Sequence, residues 1–208
     1  MYPKHQYSIC VSGAAAGETV RMSSELAEEL GRAIAASGQI ITTGATAGLP
    51  YHAAYGAKEA GGMSIGFSPA ASLREHIRKY HLPYDSYDFI NFTGLHYVGR
   101  DMYLVQSSDA VITVGGRFGS LHEFTSALEA GKPCGVLRGS GGTADKIAEL
   151  MRDLEPPGGE LVIYEDDPAL LVKKIIKILD EKYADIHEQL ERDSRRWLHR
   201  RKRSHHGG

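Results

Sequence analysis

The stretch from Arg100 to Glu123, RDMYLVQSSDAVITVGGRFGSLHE, combines residue types that suit the binding of a phosphate. Its pattern predicts the end of a helix, then a buried strand, then a glycine-rich turn and the first turn of a second helix. Such a turn brings backbone N–H groups and the positive end of a helix to the carboxyl edge of a strand, where a phosphate is well held. Arg100 and Glu123 add one positive and one negative side chain. We therefore predict a phosphate site with a charged pair beside it.

The glutamate of this stretch has a second interpretation, which rests on local helix chemistry. Ser120–Glu123 (SLHE) matches a capping box, in which the serine and the glutamate each satisfy a backbone donor at the start of a helix. Ser72–Glu75 (SLRE) has the same form without a glycine turn before it. The pattern alone favours a cap, whereas the neighbouring glycines and Arg100 favour a functional carboxylate. The sequence leaves both interpretations open.

Three glycine-bearing turns follow predicted strands and so belong to one edge of a parallel sheet. They are Ser12–Gly13 with Gly17, Gly44–Gly48 and Gly115–Ser120. In folds of this kind, ligands bind at the carboxyl ends of the strands, near the point where the strand order reverses. Three such turns favour a nucleotide or another phosphorylated ligand. The chain has neither a G-x-G-x-x-G fingerprint nor a G-x-x-x-x-G-K-[ST] loop, which disfavours ordinary NAD enzymes and ATPases.

Apolar segments typical of strands alternate with amphipathic helices along most of the chain. Repeated strand–helix units need right-handed crossovers and a parallel sheet covered on both faces. We therefore predict the α/β class, with a Rossmann-like doubly wound parallel sheet and helices on both faces. Residues 1–190 are interpreted as a single Rossmann-like nucleotide-binding domain, and residues 191–208 as a basic, disordered tail. Asp167 and Pro168 suit the start of the last helix, whose apolar stripe continues to Leu190.

The composition of the 208 residues disfavours several classes of protein. A formal net charge of -2 gives no support for nucleic-acid binding. No apolar stretch is long enough to cross a bilayer and the N-terminus lacks a signal pattern, so we expect no membrane partner and a cytoplasmic location. Cys10 and Cys134 fall in apolar runs and are interpreted as buried thiols of a reducing compartment. His76 and His81 would not share a helical face, and we predict neither a metal site nor a cofactor.

Two further segments keep two interpretations each. Gly139–Gly142 is interpreted either as another anion-binding loop or as a flexible connection between a strand and a helix. Tyr80, Tyr84 and Tyr87 lie in an irregular segment, where they either stack on a base or line a subunit contact. Residue types alone do not decide between these alternatives.

The stretch from Arg100 to Glu123 resembles the signature of the LOG family, the cytokinin-activating nucleoside 5′-monophosphate phosphoribohydrolases long mislabelled lysine decarboxylases. In that family an R-K pair precedes a P-G-G-x-G-T-x-x-E motif. An ungapped comparison sets Arg100 on the family arginine and Glu123 on the family glutamate, while Gly116, Gly119 and Ser120 match two motif glycines and the threonine. In order of elements, the likeness extends over roughly residues 7 to 155. Molybdenum-cofactor carrier proteins share this fold and motif without being hydrolases of that kind.

Three positions depart from the family motif. Asp101 replaces the lysine after the arginine, Gly115 replaces the proline, and Arg117 replaces a motif glycine. Arg117 either adds a phosphate contact or fills space that the family keeps open. Asp101 removes a positive charge from a site expected to hold an anion. These departures affect the expected reaction more than the expected fold and ligand class.

The resemblance implies hydrolysis of the N-glycosidic bond of nucleoside 5′-monophosphates to base and ribose 5-phosphate. Glu123 would stabilise the positive charge that develops on the ribose or direct a water to it, and Arg100 would orient that carboxylate. The implied assembly is a homodimer or larger homo-oligomer, and the implied partner is a small phosphorylated ligand. The alternatives are a non-catalytic carrier or sensor of a nucleotide or molybdopterin-type cofactor, and a scaffold that uses the last helix.

The predicted site contains two catalytic residues and a larger set that would bind phosphate or nucleotide. The predicted catalytic residues are Arg100 and Glu123. The predicted binding residues are Ser12, Gly13, Gly44, Gly48, Gly115, Gly116, Arg117, Phe118, Gly119 and Ser120.

Overall fold

The computed structural model describes residues 5–193, which form one seven-stranded parallel sheet with the strand order β4-β3-β2-β1-β5-β6-β7. The strands are β1 (Ser8–Gly13), β2 (Ile40–Thr43), β3 (Ser64–Ser68), β4 (Phe89–Phe92), β5 (Ala110–Val114), β6 (Cys134–Leu137) and β7 (Val162–Glu165). The helices are α1 (Glu18–Ala36), α2 (Leu49–Glu59), α3 (Leu73–Arg78), α4 (His96–Gln106), α5 (Phe118–Glu129), α6 (Ala144–Leu154) and α7 (Pro168–Lys182). A short 3-10 turn, Gly159–Leu161, precedes β7.

Helices cover both faces of the sheet. On one face, α1, α2 and α7 pack against a core that includes Ile9 and Val11 of β1. On the other face, α4, α5 and α6 pack against a core that includes Cys10 of the same strand. Because successive side chains of a strand point to opposite faces, a strand between two cores must be apolar throughout. The predicted α/β class, with a doubly wound parallel sheet, is confirmed.

The strand order reverses between β1 and β5, which lie side by side in the middle of the sheet. Gly13 at the end of β1 pairs with Val114 at the end of β5, so the two strands end at the same level. The chain then continues into α1 on one face and into α5 on the other face. Diverging loops at such a point leave a crevice at the carboxyl edge of the sheet.

The apolar residues Met22, Leu26, Leu30 and Ile34 of α1 have the spacing of one helical stripe, but the first of them is not buried. Leu30 and Ile34 are fully buried, but Met22 is 76% exposed. Ser23 takes the inward position instead, and its Oγ donates a hydrogen bond to the carbonyl oxygen of Ser140 at 3.1 Å. A small polar side chain therefore packs where the periodicity predicts a large apolar one.

The last helix begins as predicted. The Asp167 side chain accepts a hydrogen bond from the Leu170 N–H at 2.7 Å, and a proline occupies the first turn of α7. The helix α7 ends at Lys182, and residues 184–193 are again helical. Ile186 and Leu190 are about half exposed, so the predicted stripe leaves the core there. The predicted tail begins at residue 191; residues 191–193 continue this helix, and the rest of the tail lies outside the described residues.

His76 is a buried core histidine on α3. Its Nδ1 lies 2.8 Å from the Ser68 Oγ, and its Nε2 lies 2.9 Å from the carbonyl oxygen of Pro83. Both ring nitrogens therefore have protein partners. Across residues 5–193, no group of three or more His, Cys, Asp or Glu side chains is arranged to hold a metal ion. None of the helices in this range is both long and apolar enough to cross a membrane.

Candidate functional site

A cleft of about 320 Å³ lies at the carboxyl edge of the sheet, between the loops that follow β1 and β5. The loop after β2 and one side of α4 complete its walls. Seven predicted site residues line it: Gly13, Gly44, Arg100, Arg117, Gly119, Ser120 and Glu123. The remaining predicted residues do not line it. Ser12, Gly48, Gly115 and Gly116 belong to the strand end and turns that support it, and the Phe118 side chain is 88% exposed.

Three helices begin at this cleft. The lining residues Ala14–Ala16 lead directly into α1, the lining residue Pro50 belongs to the first turn of α2, and Gly119 belongs to the first turn of α5. The N-terminal end of a helix carries a partial positive charge and unpaired N–H groups. Three such ends at one cleft favour a negatively charged ligand.

The glycine turn before α5 has a backbone conformation that other residues rarely adopt. Gly115 has a φ of 57° and Gly116 a φ of 104°. At the start of α5, the Leu121 N–H donates a hydrogen bond to the carbonyl oxygen of Arg117, the N-cap, at 3.0 Å. The N–H groups of residues 118–120 come before that bond, as the first amides of a helix do. They are the donors that a phosphate at this turn would use.

Gly44 makes room for the arginine of the site. A Cβ at this position would lie 1.9 Å from the Arg100 Nη1 and 2.5 Å from its Cζ. The Arg100 side chain, which is only 4% exposed as a residue, therefore packs directly on the backbone of the loop after β2. Gly48 serves a different contact, because a Cβ there would lie 2.2 Å from the carbonyl oxygen of Ala14. Because neither glycine has a side chain, Arg100 and the loop after β1 both pack against the turn after β2.

Glu123 does not cap a helix, which corrects the capping-box interpretation. The N-cap of α5 is Arg117, so Ser120 is already the third helical residue and Glu123 lies in the second turn. The Glu123 Oε2 accepts a hydrogen bond from the Ser12 Oγ, and its Oε1 lies 3.2 Å from the Arg100 Nη1. The positive φ of the glycine turn allows the helix to begin three residues earlier than the four-residue pattern implies. The functional interpretation of the carboxylate fits this geometry.

The environment of Glu123 changes its acidity. Burial raises the pKa of Glu123 from 4.5 to about 7, the Arg100 guanidinium acts in the opposite direction, and the nearby Asp101 carboxyl raises the pKa further. A group with a pKa near neutrality is present in both protonation states at neutral pH. Such a group can accept and donate a proton, which is the property that general acid–base catalysis needs.

Asp101 and His122 extend the charged pair into a line of four residues. The Arg100 Nη1 lies 3.3 Å from the Asp101 Oδ1, and the His122 Nδ1 lies 3.2 Å from the Asp101 Oδ2. Arg100 is therefore held by two buried carboxyl groups. Its Nε has no hydrogen-bond partner among the described residues. A ligand oxygen or an ordered water at this point would satisfy that donor.

The contact between Asp101 and His122 was missed from the sequence. From the sequence, Asp101 is predicted only to remove a positive charge from the site. The available signal was their adjacency, since Asp101 follows Arg100 on α4 and His122 precedes Glu123 on α5. The helices α4 and α5 lie side by side and bring Arg100 to Glu123, and the same packing brings Asp101 to His122.

The Arg117 side chain crosses from the start of α5 to the loop before α1. Its Nη2 donates a hydrogen bond to the Ala16 carbonyl at 2.9 Å. A Cβ at Gly17 would lie 2.4 Å from the same nitrogen. The guanidinium therefore lies at the edge of the cleft and does not fill the glycine turn.

The Gly139–Gly142 loop supports the glycine turn, and two of its amides bind a carboxylate of the same chain. The two carboxylate oxygens of Asp145 accept hydrogen bonds from the N–H groups of Gly139 at 2.8 Å and Gly141 at 3.2 Å. The Ser140 Oγ accepts a hydrogen bond from the Gly115 N–H at 2.8 Å. Amides that an external anion would need are thus used by a carboxylate of the chain itself. The role of Asp145 was missed because it depends on how the loop folds back.

The three tyrosines of the irregular segment do not form one cluster. The ring of Tyr80 packs edge-on against Tyr97, with ring centroids 5.7 Å apart, and its hydroxyl lies 2.7 Å from the His96 Nδ1. The Tyr87 hydroxyl accepts a hydrogen bond from the end of β2 at 3.1 Å, and Tyr84 is 59% exposed. Tyr97 is the aromatic residue that lines the cleft, and sequence reasoning missed it.

Comparison with known proteins places the chain in a family. The model of the SLOG cluster4 family (LDcluster4) matches residues 6–172. An uncharacterized protein of Archaeoglobus fulgidus is 32% identical over 142 residues, which cover 68% of this chain and 85% of that protein. The matched range runs from before β1 into α7 and includes every residue that lines the cleft.

Two solved structures share the fold over almost their whole length. The molybdenum cofactor carrier protein of Chlamydomonas reinhardtii has a TM-score of 0.69 and 30% identity, and the match covers 84% of this chain and 99% of that chain. The molybdenum cofactor binding protein of the phototrophic bacterium Rippkaea orientalis has a TM-score of 0.69 and 30% identity, and the match covers 85% and 99%. The predicted relationship to LOG-type proteins is confirmed, and the chain belongs to the LOG-like SLOG cluster4 family.

Proposed function

We propose that the cleft binds a small phosphorylated ligand, with its phosphate at the start of α5, and that the protein hydrolyses nucleoside 5′-monophosphates to base and ribose 5-phosphate. One observation carries this proposal. A helix N-terminus entered through a glycine turn and the buried Glu123–Arg100 pair line the same cleft, at the point where the strand order reverses.

The geometry at Gly119 supports the binding step. Gly119 lines the cleft in the first turn of α5, and a Cβ built on it would meet no atom within 4 Å. The backbone there is therefore open to a ligand. A phosphate that approaches it would meet the N–H groups of the first helical turn and the positive end of the helix dipole.

The geometry at Glu123 supports the hydrolytic step. Arg100 and Ser12 hold the two carboxylate oxygens, and the pKa of about 7 suits proton transfer at neutral pH. In the proposed reaction the bond between the ribose C1′ and the base nitrogen breaks, and a water oxygen bonds to C1′. Glu123 accepts the proton of that water and returns it to the departing base nitrogen. The negative charge of the carboxylate also stabilises the cationic ribose in the transition state.

We also propose a homodimer or a larger homo-oligomer. The helix α4 supplies Arg100 to the cleft and exposes large apolar side chains elsewhere, with Val98 71% exposed, Tyr103 48% and Met102 42%. A second copy that covered these side chains would adjoin the site. Sedimentation of the purified protein at micromolar concentration should give at least twice the mass of one chain, and the mass of a single chain would contradict the proposal.

A second candidate function is the transport of a phosphorylated ligand, such as a molybdopterin-type cofactor, without turnover. The resemblance to proteins described as molybdenum cofactor carrier and binding proteins favours it, because the match covers 99% of each. Asp101 favours it as well. This carboxyl lies 3.3 Å from the Arg100 Nη1 and competes with Glu123 for the arginine that the hydrolytic proposal assigns to it.

A turnover assay separates the two candidates. The purified protein is incubated with a panel of nucleoside 5′-monophosphates, and free base is separated by chromatography. The hydrolase predicts base release that is lost in Glu123→Gln and kept in Glu75→Gln, a matched change on an exposed helix. Calorimetric binding of a nucleotide or of molybdopterin without base release would reject hydrolysis and leave the carrier. The absence of both release and binding would reject the proposed site.

A further inference from the structure

The charges that line the cleft are unequally paired. Four of its lining residues have an acidic or a basic side chain: Arg100, Asp101, Arg117 and Glu123. Arg100 forms ion pairs with both carboxyl groups, at 3.3 Å and 3.2 Å. The described part of the chain gives the Arg117 guanidinium one partner, the uncharged carbonyl oxygen of Ala16 at 2.9 Å. Among residues 5–193, Arg117 is therefore the lining cation that forms no ion pair with a carboxylate.

The position of this guanidinium is built by the residues around it. Gly17 has a φ of 99° and leaves the space that Arg117 occupies, since a Cβ there would lie 2.4 Å from the Arg117 Nη2. Gly17 is also the N-cap of α1. The Arg117 side chain thus begins at the N-terminus of α5 and ends at the N-terminus of α1. The Arg117 guanidinium and the N-terminus of α1 therefore form a second positive region, beside the start of α5 where the first phosphate is proposed to bind.

A guanidinium has five N–H donors in one plane and binds phosphate oxygens two at a time. One hydrogen bond to a carbonyl leaves most of those donors available to a ligand. A guanidinium that forms no ion pair and lies next to a helix N-terminus favours a second anionic group over a sugar hydroxyl or an apolar base. Glycine at this position, as in the LOG motif that the chain resembles, has no charge to offer such a group.

We propose that the cleft binds a ligand with a diphosphate, such as a nucleoside 5′-diphosphate or a diphosphate-linked compound, more tightly than the nucleoside 5′-monophosphate of the proposed reaction. The first phosphate lies at the start of α5, and Arg117 binds the second phosphate at the start of α1. This inference rests on the proposed binding of a phosphorylated ligand at the cleft. It does not rest on the proposed hydrolysis. It states that two phosphates are preferred to one and that Arg117 causes this preference.

Isothermal titration calorimetry in buffer without divalent cations tests the assignment. The probes are AMP with ADP and GMP with GDP, titrated into the wild-type protein, Arg117→Gln and Arg117→Lys. Arg152→Gln, an exposed arginine near the end of α6, is the matched control. Thermal melting of each variant verifies that it is folded.

The wild-type protein should bind the diphosphate of at least one base about 10-fold more tightly than the monophosphate, as expected for charge-assisted hydrogen bonds. Arg117→Gln should bring that ratio to about one, Arg117→Lys should give an intermediate ratio, and Arg152→Gln should leave it unchanged. Equal affinity for both nucleotides in the wild type, or a ratio that Arg117→Gln does not change, would overturn this inference while the proposed phosphate site stands. A wild type that binds none of the four nucleotides would overturn the proposed function and this inference with it.

Discussion

The segments Ser72–Glu75 and Ser120–Glu123 share the pattern S-L-x-E but differ in chemistry. Ser72 is the N-cap of α3, and its Oγ accepts a hydrogen bond from the Glu75 N–H at 3.3 Å. The Glu75 carboxylate in turn accepts one from the Ala71 N–H at 3.1 Å. This backbone hydrogen bond, together with the nearby Lys79, lowers the pKa of Glu75. The first segment is therefore a helix cap with an ionised, solvent-accessible carboxylate.

In the second segment the same residue types lie one turn deeper in their helix. The glycine turn starts α5 at Phe118, so Glu123 faces the end of β1 and meets Ser12 and Arg100. Burial raises the pKa of Glu123, in the direction opposite to the shift at Glu75. The residue at which a helix begins, and not the four-residue pattern, therefore decides whether a glutamate caps the helix or lies in the cleft.

The largest expected difference between the two segments is in catalysis. Replacing the proposed general base by an amide removes its proton transfer, and such a loss costs about 10²- to 10⁴-fold in rate. Glu123→Gln should therefore reduce the release of free base from nucleoside 5′-monophosphates by at least about 100-fold. Glu75→Gln should leave the rate within about twofold, because the group lies outside the cleft. Equal losses in the two variants would remove the distinction between them.

Two glycines near Glu123 should respond in opposite ways to replacement by alanine. Gly44→Ala puts a methyl group into the buried Arg100 guanidinium and should lower the free energy of unfolding by about 1–3 kcal/mol. Gly119→Ala meets no atom within 4 Å and should raise that free energy by about 0.5 to 1 kcal/mol, because alanine favours a helix. The same methyl group should weaken the binding of AMP, since it projects into the open space of the cleft. Chemical denaturation and calorimetry measure the two effects, and unchanged AMP binding in a stabilised Gly119→Ala would argue against a phosphate at that turn.

The opposite pKa shifts predict opposite pH dependences. The pKa of Glu123 is higher in the folded state, about 7 against 4.5, so the folded protein holds an extra proton between these values. Its contribution to the free energy of unfolding is present below pH 4.5 and is lost as the pH rises towards 7, with a slope of up to about 1 kcal/mol per pH unit. The pKa of Glu75 is lower in the folded state. This group therefore contributes to the free energy of unfolding above pH 4.5, and the contribution is lost as the pH falls. Urea denaturation between pH 4 and 8 should show the first trend vanish in Glu123→Gln, and a persistent trend in that variant would assign it to another group.

The smallest expected effect is at the two serines. Ser72→Ala removes a true N-cap and should cost about 1 kcal/mol of stability. Ser120→Ala removes no cap, because Ser120 is the third residue of α5, and should change the stability by less than about 0.5 kcal/mol. Thermal or urea denaturation of both variants measures the difference. A larger cost at Ser120 than at Ser72 would contradict the assignment of the helix start at Arg117.

The order of elements and the edge that carries the site are readable from local sequence. Continuous apolar runs predict buried parallel strands, and turns such as Gly44–Gly48 fall after them at one edge. The start of α7 at Asp167 follows the predicted capping chemistry. These features depend on residues that are close together in the chain, so local sequence patterns predict them.

The side-chain partners of the site are less predictable, because they depend on how distant helices pack. Glu123 lies 111 positions from Ser12, and no local pattern connects them. The contact of Asp101 with His122 requires α4 and α5 to lie side by side, and the use of the Gly139 amide by Asp145 requires a loop to fold back. Sequence patterns therefore predict which residues reach the cleft better than they predict which residues bond there.

A ¹³C NMR titration of the Glu123 carboxyl carbon, in protein labelled at glutamate, tests whether this carboxylate belongs to a phosphate-binding site. Comparison with Glu123→Gln assigns the resonance, and the titration is repeated with saturating AMP. A functional carboxylate beside a phosphate-binding cleft predicts a pKa of about 7 in the free protein and a different value when AMP is bound. A pKa near 4.5 that does not respond to the nucleotide would contradict the account.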